Sequence, residues 1–357
     1  MTSTFQPTLT IDLSALASNW RLLDGMSAGG AAAVVKADAY GLGLAHCAPA
    51  LAAAGARQFF VATLQEGLRL RDTLGDGPWI GVLEGLSDVQ SFVAKGLTPV
   101  LNSVEQVKGW EGQPSLCLHA DTGMNRLGLS MEDAKAVLAS ETWATAETAI
   151  LMSHLATAED PSATSNAQQL LDFQDLIQSA STRAFTPSLI NSSGHFRGDD
   201  FLKVGLSRPG VALYGANPTP GKANPMKTVV TLSAPLIQVR TVEAGAPVGY
   251  GGTWVAQRPT TLGVIALGYA DGWPRSASDR VEVEIDGHRC PQVGRVSMDT
   301  VVLDLSDLPP HLAQVGKAVT VIGGDLTLER FADGAGTINY EILTALSRRA
   351  KRVYLNA

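Results

Sequence analysis

Lys36 closes an apolar run at 31–35 (AAAVV) and is followed at once by Ala37, Asp38, Ala39, Tyr40 and Gly41. A lysine drawn toward an apolar interior loses hydration, and its pKa falls toward the range where the free amine attacks a carbonyl and holds it as a Schiff base. A lysine snorkelling to solvent from a strand end would look the same locally. Arg126 lies in a glycine-bounded loop at 121–128 (DTGMNRLG), where a planar guanidinium suits bidentate recognition of a carboxylate or phosphate. A salt bridge to a neighbour is its plain alternative. Ser192, within 191–194 (NSSG), and the run Arg208, Pro209, Gly210, Val211 combine hydroxyls, glycine and a cation in the manner of an anion cradle. His154 follows another apolar run, where a buried structural histidine is equally in keeping. Tyr250 stands among glycines at 249–252 (GYGG). A phenol with a free pKa of about 10 becomes a usable base only beside a cation, and an aromatic in a tight turn is the simpler reading.

These residues share a setting. Short apolar runs at 31–35, 58–63, 79–83, 98–101, 115–120, 149–153, 188–191 and 204–213 alternate with helical patterns such as 43–55, 64–74, 131–140 and 165–180. Strand candidates alternating with helices predict parallel strands, and eight is the number that closes a (β/α)₈ TIM-type barrel. A doubly wound open sheet shares this periodicity, which does not reveal closure. In a closed barrel the chemistry belongs just beyond the strand ends, and there lie Lys36, the 121–126 loop, His154, Asn191 with Ser192, and Arg208. After 218–221 (PTPG) the texture becomes β-rich and alternating, broken by glycine and aspartate turns, with a late helix around 339–350. The reading is an α/β chain with a barrel domain at 1–222 and a smaller C-terminal all-β domain at 223–357. A strand at 8–13 could pair outside the barrel, and the basic run at 348–352 (RRAKR) reads as the solvated end of a helix.

Composition narrows the partners. Against 34 acidic residues stand 27 lysines and arginines, and the net charge of −7 argues against nucleic acid and anionic membranes. Charged residues are only 17%, below the usual quarter or so, which suits large buried sheets or a sizeable subunit interface. Three widely spaced cysteines show no metal-ligand pattern and point to a reducing compartment. The first residues have neither the basic region nor the apolar core of a signal peptide, and no apolar stretch approaches a membrane span. A cytoplasmic protein without a resident metal is expected.

The motifs AVVKADAYGLG, DTGMNRLG, SHLA, NSSG, RPG with ALYG, GYGGTW, GYADGW, GRVSMD and INYE run from one end of the chain to the other. In this order and spacing the sequence resembles the alanine racemases, fold-type III enzymes dependent on pyridoxal 5'-phosphate (PLP). The resemblance implies a barrel followed by a β-domain, interconversion of L- and D-alanine for peptidoglycan or for alanine catabolism, and a homodimer with shared active sites. It implies that Lys36 carries PLP, that Tyr40, Ser192, Gly210, Val211 and Tyr340 bind its phosphate, and that Arg208 faces the pyridine nitrogen with His154 beside the ring. Arg126 and the Met298 backbone would hold the substrate carboxylate, and Tyr269, Arg275 and Arg295 would line the access corridor. Tyr250 would be the second catalytic base, supplied by the other subunit. Racemisation needs one group to take the Cα proton and another to return one on the opposite face, and Lys36 and Tyr250 fill those roles. Arg208 can donate a hydrogen bond to the ring nitrogen without giving up its proton.

Two positions depart from the family pattern. Many relatives carry a lysine, often as a carbamate bracing the arginine, where this chain has His119; some carry a histidine where Ser188 stands. Of the rivals, a single-barrel PLP carrier lacks a β-domain and a Tyr250, and a decarboxylase of the same fold type lacks the GYGGTW and GRVSMD segments. A racemase of broader specificity differs only in pocket volume near Tyr340, Tyr269 and Met298.

Overall fold

The computed structural model describes residues 5–180, 184–346 and 349–356. Contacts divide the chain into two compact units. One comprises Ser14–Ala39 and Gly43–Lys227; the other gathers the residues up to Leu13, Tyr40–Leu42 and the chain from Thr228 onward.

The first strand, β1 (Thr8–Asp12), belongs to the second unit. Seven parallel strands then pair in chain order: β2 (Ala33–Val34), β3 (Gln58–Val61), β4 (Trp79–Val82), β5 (Thr98–Leu101), β6 (Ser115–His119), β7 (Thr148–Met152) and β8 (Thr186–Ser188). The segment 206–209 completes the ring. On one side Leu206 N–H donates to Pro187 O at 3.0 Å and Arg208 N–H to Ile190 O at 2.8 Å. On the other, Ser207 N–H donates to Gly30 O and Ala32 N–H to Ser207 O, both at 2.9 Å. The last stave therefore bonds back to the first, and the sheet is a barrel rather than an open, doubly wound one. Its strands are buried along nearly their whole length instead of alternating, as expected where helices cover the outer face and side chains fill the inner one. Hydroxyl N-caps start the helices cleanly, with Thr63 accepting from Glu66 N–H and Ser103 from Gln106 N–H.

In the second unit the long β9 (Val230–Val242) alternates buried and half-buried residues over its first half and pairs antiparallel with β1, β12 (Thr260–Ile265) and β16 (Ala318–Ile322). Two short strands, β10 (Pro247–Val248) and β11 (Trp254–Val255), form a hairpin around Tyr250. β13 (Glu282–Ile285) pairs with β14 (His288–Pro291) and β16; β15 (Val301–Asp304) pairs with β12; β17 (Lys351–Leu355) runs parallel to β1. The late helix is shorter than the sequence pattern, Asn339–Ala345. The basic run is corrected here: Arg348 lies outside the described residues, and from Lys351 the chain is a strand, not a helix end. Val353 and Tyr354 favour extended backbone, and the partner strand that settles the matter lies at the opposite end of the sequence.

Candidate active site

Val35 N–H bonds to Phe60 O at 2.9 Å, so Lys36 is the first residue beyond the barrel ladder. It is partly buried, and that burial chiefly lowers its pKa; the nearby Arg126 lowers it further and Glu66 opposes. The next turn winds the wrong way for L-residues. Ala37, Asp38, Ala39 and Tyr40 all lie in the left-handed region, with φ of 54°, 55°, 56° and 53°, at a cost of about 1–2 kcal/mol each. Hydrogen bonds hold it: Ala39 N–H to Val35 O at 2.9 Å, Gly43 N–H to Asp38 O at 2.8 Å, Leu44 N–H to Asp38 Oδ1 at 2.9 Å, and Ala37 N–H to Glu66 Oε1 at 2.7 Å.

Arg208 is buried. Its Nη1 donates to Ser188 Oγ at 2.5 Å, and its Nη2 to Ser153 O at 2.5 Å with His154 Nδ1 at 3.3 Å. Burial brings its pKa down to about 10, so it stays a cation at neutral pH. Ser188 thus supports this arginine directly, and its hydroxyl donates a hydrogen bond to Leu206 O at 2.7 Å. His154 is held well below the ordinary histidine range by burial first, then by Arg208, Arg126, His119 and Lys36. These groups feel one another across one space at the barrel rim. Since Arg208 donates to Nδ1, the neutral ring carries its proton on Nε2.

Polar residues that sequence reasoning missed organise this rim. Thr122 Oγ1 and Ser153 Oγ share a hydrogen bond of 2.7 Å, while the buried Gln169 reaches Thr122 Oγ1 at 3.3 Å and His154 O at 2.9 Å and accepts from Ala156 N–H at 2.9 Å. Gln169 joins the loops that carry Arg126 and His154. Its signal was legible: a polar residue on the buried side of the helix Ser165–Ser179. Arg126 is exposed and has no hydrogen bond or ion pair among the described residues. Its loop is shaped by Asp121 Oδ1, which accepts from Gly123 and Met124 N–H at 2.9 and 2.8 Å, and by Gly128, at φ 112°, where a Cβ would stand 2.8 Å from Asp121 N. His119 donates from Nδ1 to Asn102 Oδ1 at 2.7 Å, and burial, with Arg208 second, pushes its pKa down to about 4.

Beyond β8 and the closing stave, Gly210 and Ala212 N–H converge on Ser192 Oγ at 3.0 and 3.2 Å, with Val211 buried between them. The oxygen at which both amides point is the Ser192 hydroxyl itself, so the hydroxyl and the two N–H groups lie together, as a site for an anion's oxygens requires. Ser192, Gly210 and Val211 therefore assemble as one cradle. Tyr40, Tyr250, Tyr340 and Met298 lie in the second unit. There the Tyr40 and Tyr340 rings tilt at 45° with centroids 6.2 Å apart, and burial, then Tyr340, raises the Tyr40 phenol. Tyr250 is 70% exposed on its glycine turn, and Met298 is 51% exposed.

A parallel barrel with a desolvated amine at one strand end and a hydroxyl–amide cradle at another defines a barrel enzyme of the kind that takes a phosphorylated cofactor. Known proteins narrow that class. Residues 11–218 match the family model described as alanine racemase, N-terminal domain, and residues 229–354 that of the C-terminal domain. An alanine racemase of Methylobacterium sp. (strain 4-46) is 45% identical over 98% of this chain and 97% of its own, and a catabolic alanine racemase of Agrobacterium fabrum is 47% identical over 97% and 92%. The crystal structure of alanine racemase from Bartonella henselae with covalently bound pyridoxal phosphate matches with a TM-score of 0.92 at 38% identity, covering 98% of this chain and 99% of that one. The biosynthetic alanine racemase of Pseudomonas aeruginosa matches at 0.89 and 34%, with the same coverage. The chain belongs to the alanine racemase family.

Proposed function

We propose that this chain interconverts L- and D-alanine with PLP held on Lys36. The observation that carries the reading is the barrel rim, where a partly desolvated lysine shares its surroundings with Arg126, Arg208 and a neutral His154. Ser192, Gly210 and Val211 would hold the phosphate, and Tyr40 and Tyr340 are the further residues proposed to bind it. Arg208 would face the pyridine nitrogen; its bonds to Ser188 and Ser153 keep it oriented. When bound, the cofactor supplies the electron withdrawal that acidifies the substrate Cα–H.

Lys36 Nζ, whose pKa burial lowers, is the group that would take and return the proton on one face of the substrate. Tyr250 is proposed as the acid–base group for the opposite face. Arg126, exposed and without a hydrogen bond or ion pair among the described residues, is proposed to bind the substrate carboxylate, and the Met298 backbone is proposed as a second donor. Tyr250 is assigned to the site of a partner subunit. It stands exposed in a unit that also exposes Val255, Tyr269, Met298, Ile338 and Tyr340, an apolar set that a homodimer would cover. The buried free thiols of Cys47, Cys117 and Cys290 support a cytoplasmic setting. Among the described residues no helix is long and apolar enough to cross a membrane.

The test is to follow L-alanine racemisation by loss of optical rotation, while on a separate sample borohydride fixes the cofactor and peptide mapping locates it. Tyr250→Phe should retain the cofactor and lose about 10²- to 10⁴-fold in rate, most severely from the L-side. Attachment elsewhere than Lys36, or full activity of the variant in both directions, refutes the assignment.

A further inference from the structure

The GYADGW and GRVSMD segments lie against each other more tightly than any side chain would allow. A Cβ on Gly268 would stand 2.3 Å from Met298 O and 2.4 Å from Ser297 O. Tyr269 N–H donates to Ser297 O and Ala270 N–H to Met298 O, both at 3.0 Å. Between these bonds the paired loops display two large apolar side chains, Tyr269 at 43% and Met298 at 51% exposed. Behind them sits a charged clamp. The Asp271 side chain is 1% exposed; its Oδ2 accepts from Gly268 N–H at 3.0 Å and from Arg349 Nη2 at 3.2 Å, and Arg349 Nε faces Oδ1 at 2.9 Å. The same guanidinium donates from Nη1 to Asp299 Oδ1 at 2.7 Å. One arginine thus grips a carboxylate from each loop. Its own backbone is anchored, since Gln6 Nε2 donates to Arg349 O at 2.6 Å and Lys351 N–H to Pro7 O at 2.8 Å.

We infer that Arg349 is a positioning residue, whose grip on Asp271 and Asp299 sets the register in which Tyr269 and Met298 meet the substrate. This rests on the reading that the Met298 loop serves alanine. A planar fork is suited to the task because it fixes direction as well as distance, which an ammonium does not. The loops would otherwise meet through a few main-chain bonds, and a buried carboxylate without its cation would push them apart.

Two measurements on the PLP-loaded protein decide it. Hydrogen exchange should show the Tyr269 and Ala270 amides exchanging about tenfold faster in Arg349→Ala, with the β12 amides unchanged. Racemisation by the same variant should show KM for L-alanine raised about tenfold or more while kcat stays within about threefold. Arg349→Lys should fall between wild type and alanine in both. Asp299→Asn, which keeps the loop's shape and removes one arm of the clamp, should raise KM about threefold and serves if Arg349→Ala does not fold. Unchanged exchange overturns the clamp. Faster exchange with unchanged KM, or a loss confined to kcat, overturns its role toward substrate. A wild-type protein that racemises no alanine refutes the proposed function instead, and the exchange arm still decides the clamp.

Discussion

Ser188→Ala removes the contact on which Arg208 most directly depends. Ser188 is fully buried; its hydroxyl accepts from Arg208 Nη1 and donates to Leu206 O. A hydrogen bond to a charged group contributes about 1.5–3 kcal/mol and a neutral one about 1 kcal/mol. The variant loses one of each and leaves a buried guanidinium donor unsatisfied, so its stability should fall by about 2.5–4 kcal/mol. Ser153→Ala is the control. Arg208 uses the Ser153 main-chain oxygen, which survives, and only the hydroxyl bond to Thr122 is lost, for about 1 kcal/mol. Urea unfolding followed by tryptophan fluorescence gives both values from the shift in midpoint at constant slope. If Ser188→Ala costs no more than Ser153→Ala, the Ser188–Arg208 contact does not hold the arginine, and the account of this chain's departure from its relatives fails.

Acid sensitivity follows from three histidines. Burial pushes His119 and His195 down to about 4 and holds His154 well below the ordinary histidine range, while in the unfolded chain each titrates at about 6.5. As pH falls from about 6.5 toward 4 the unfolded chain takes up protons that the folded chain refuses. Stability is therefore complete above that range and declines below it by up to about 1.4 kcal/mol per pH unit for each histidine. Urea midpoints at pH 7.5 and 5 measure this, His195→Asn should flatten the slope by about a third, and equal midpoints would contradict it. Gly268→Ala forces a Cβ into two carbonyl oxygens. It should cost about 2–4 kcal/mol and raise KM for alanine, whereas an active, fully stable variant would show that the two loops separate freely.

The barrel was legible because buried parallel strands and amphipathic helices differ in period, and every reactive rim residue followed an apolar run. Closure was not legible, since it rests on bonds between 206–209 and the first stave, far apart in sequence. Lys36, Arg126, Ser192 and Arg208 could be picked out by type and place, and the order of the motifs carried the family. The supports were harder to see. Ser188 stood out only as a departure from the family pattern and Gln169 only as a polar residue on an apolar helix side, and the partners that give them a task come from distant parts of the chain. Arg349 was misread with its neighbours as a helix end, because a local basic run says nothing of the strand at residues 8–12 or the carboxylates at 271 and 299.

The turn from Ala37 to Tyr40 has a consequence for chirality. Its residue types, alanine and aspartate beside a lysine, would favour an ordinary right-handed turn in an isolated peptide, yet its backbone has the hand natural to a D-peptide. Ala37 and Ala39 are therefore sites where the mirror-image amino acid is the sterically relaxed one. In a chain assembled by chemical ligation, D-alanine at both would relieve about 1–2 kcal/mol apiece. D-alanine, by the reading above, is also what this chain makes.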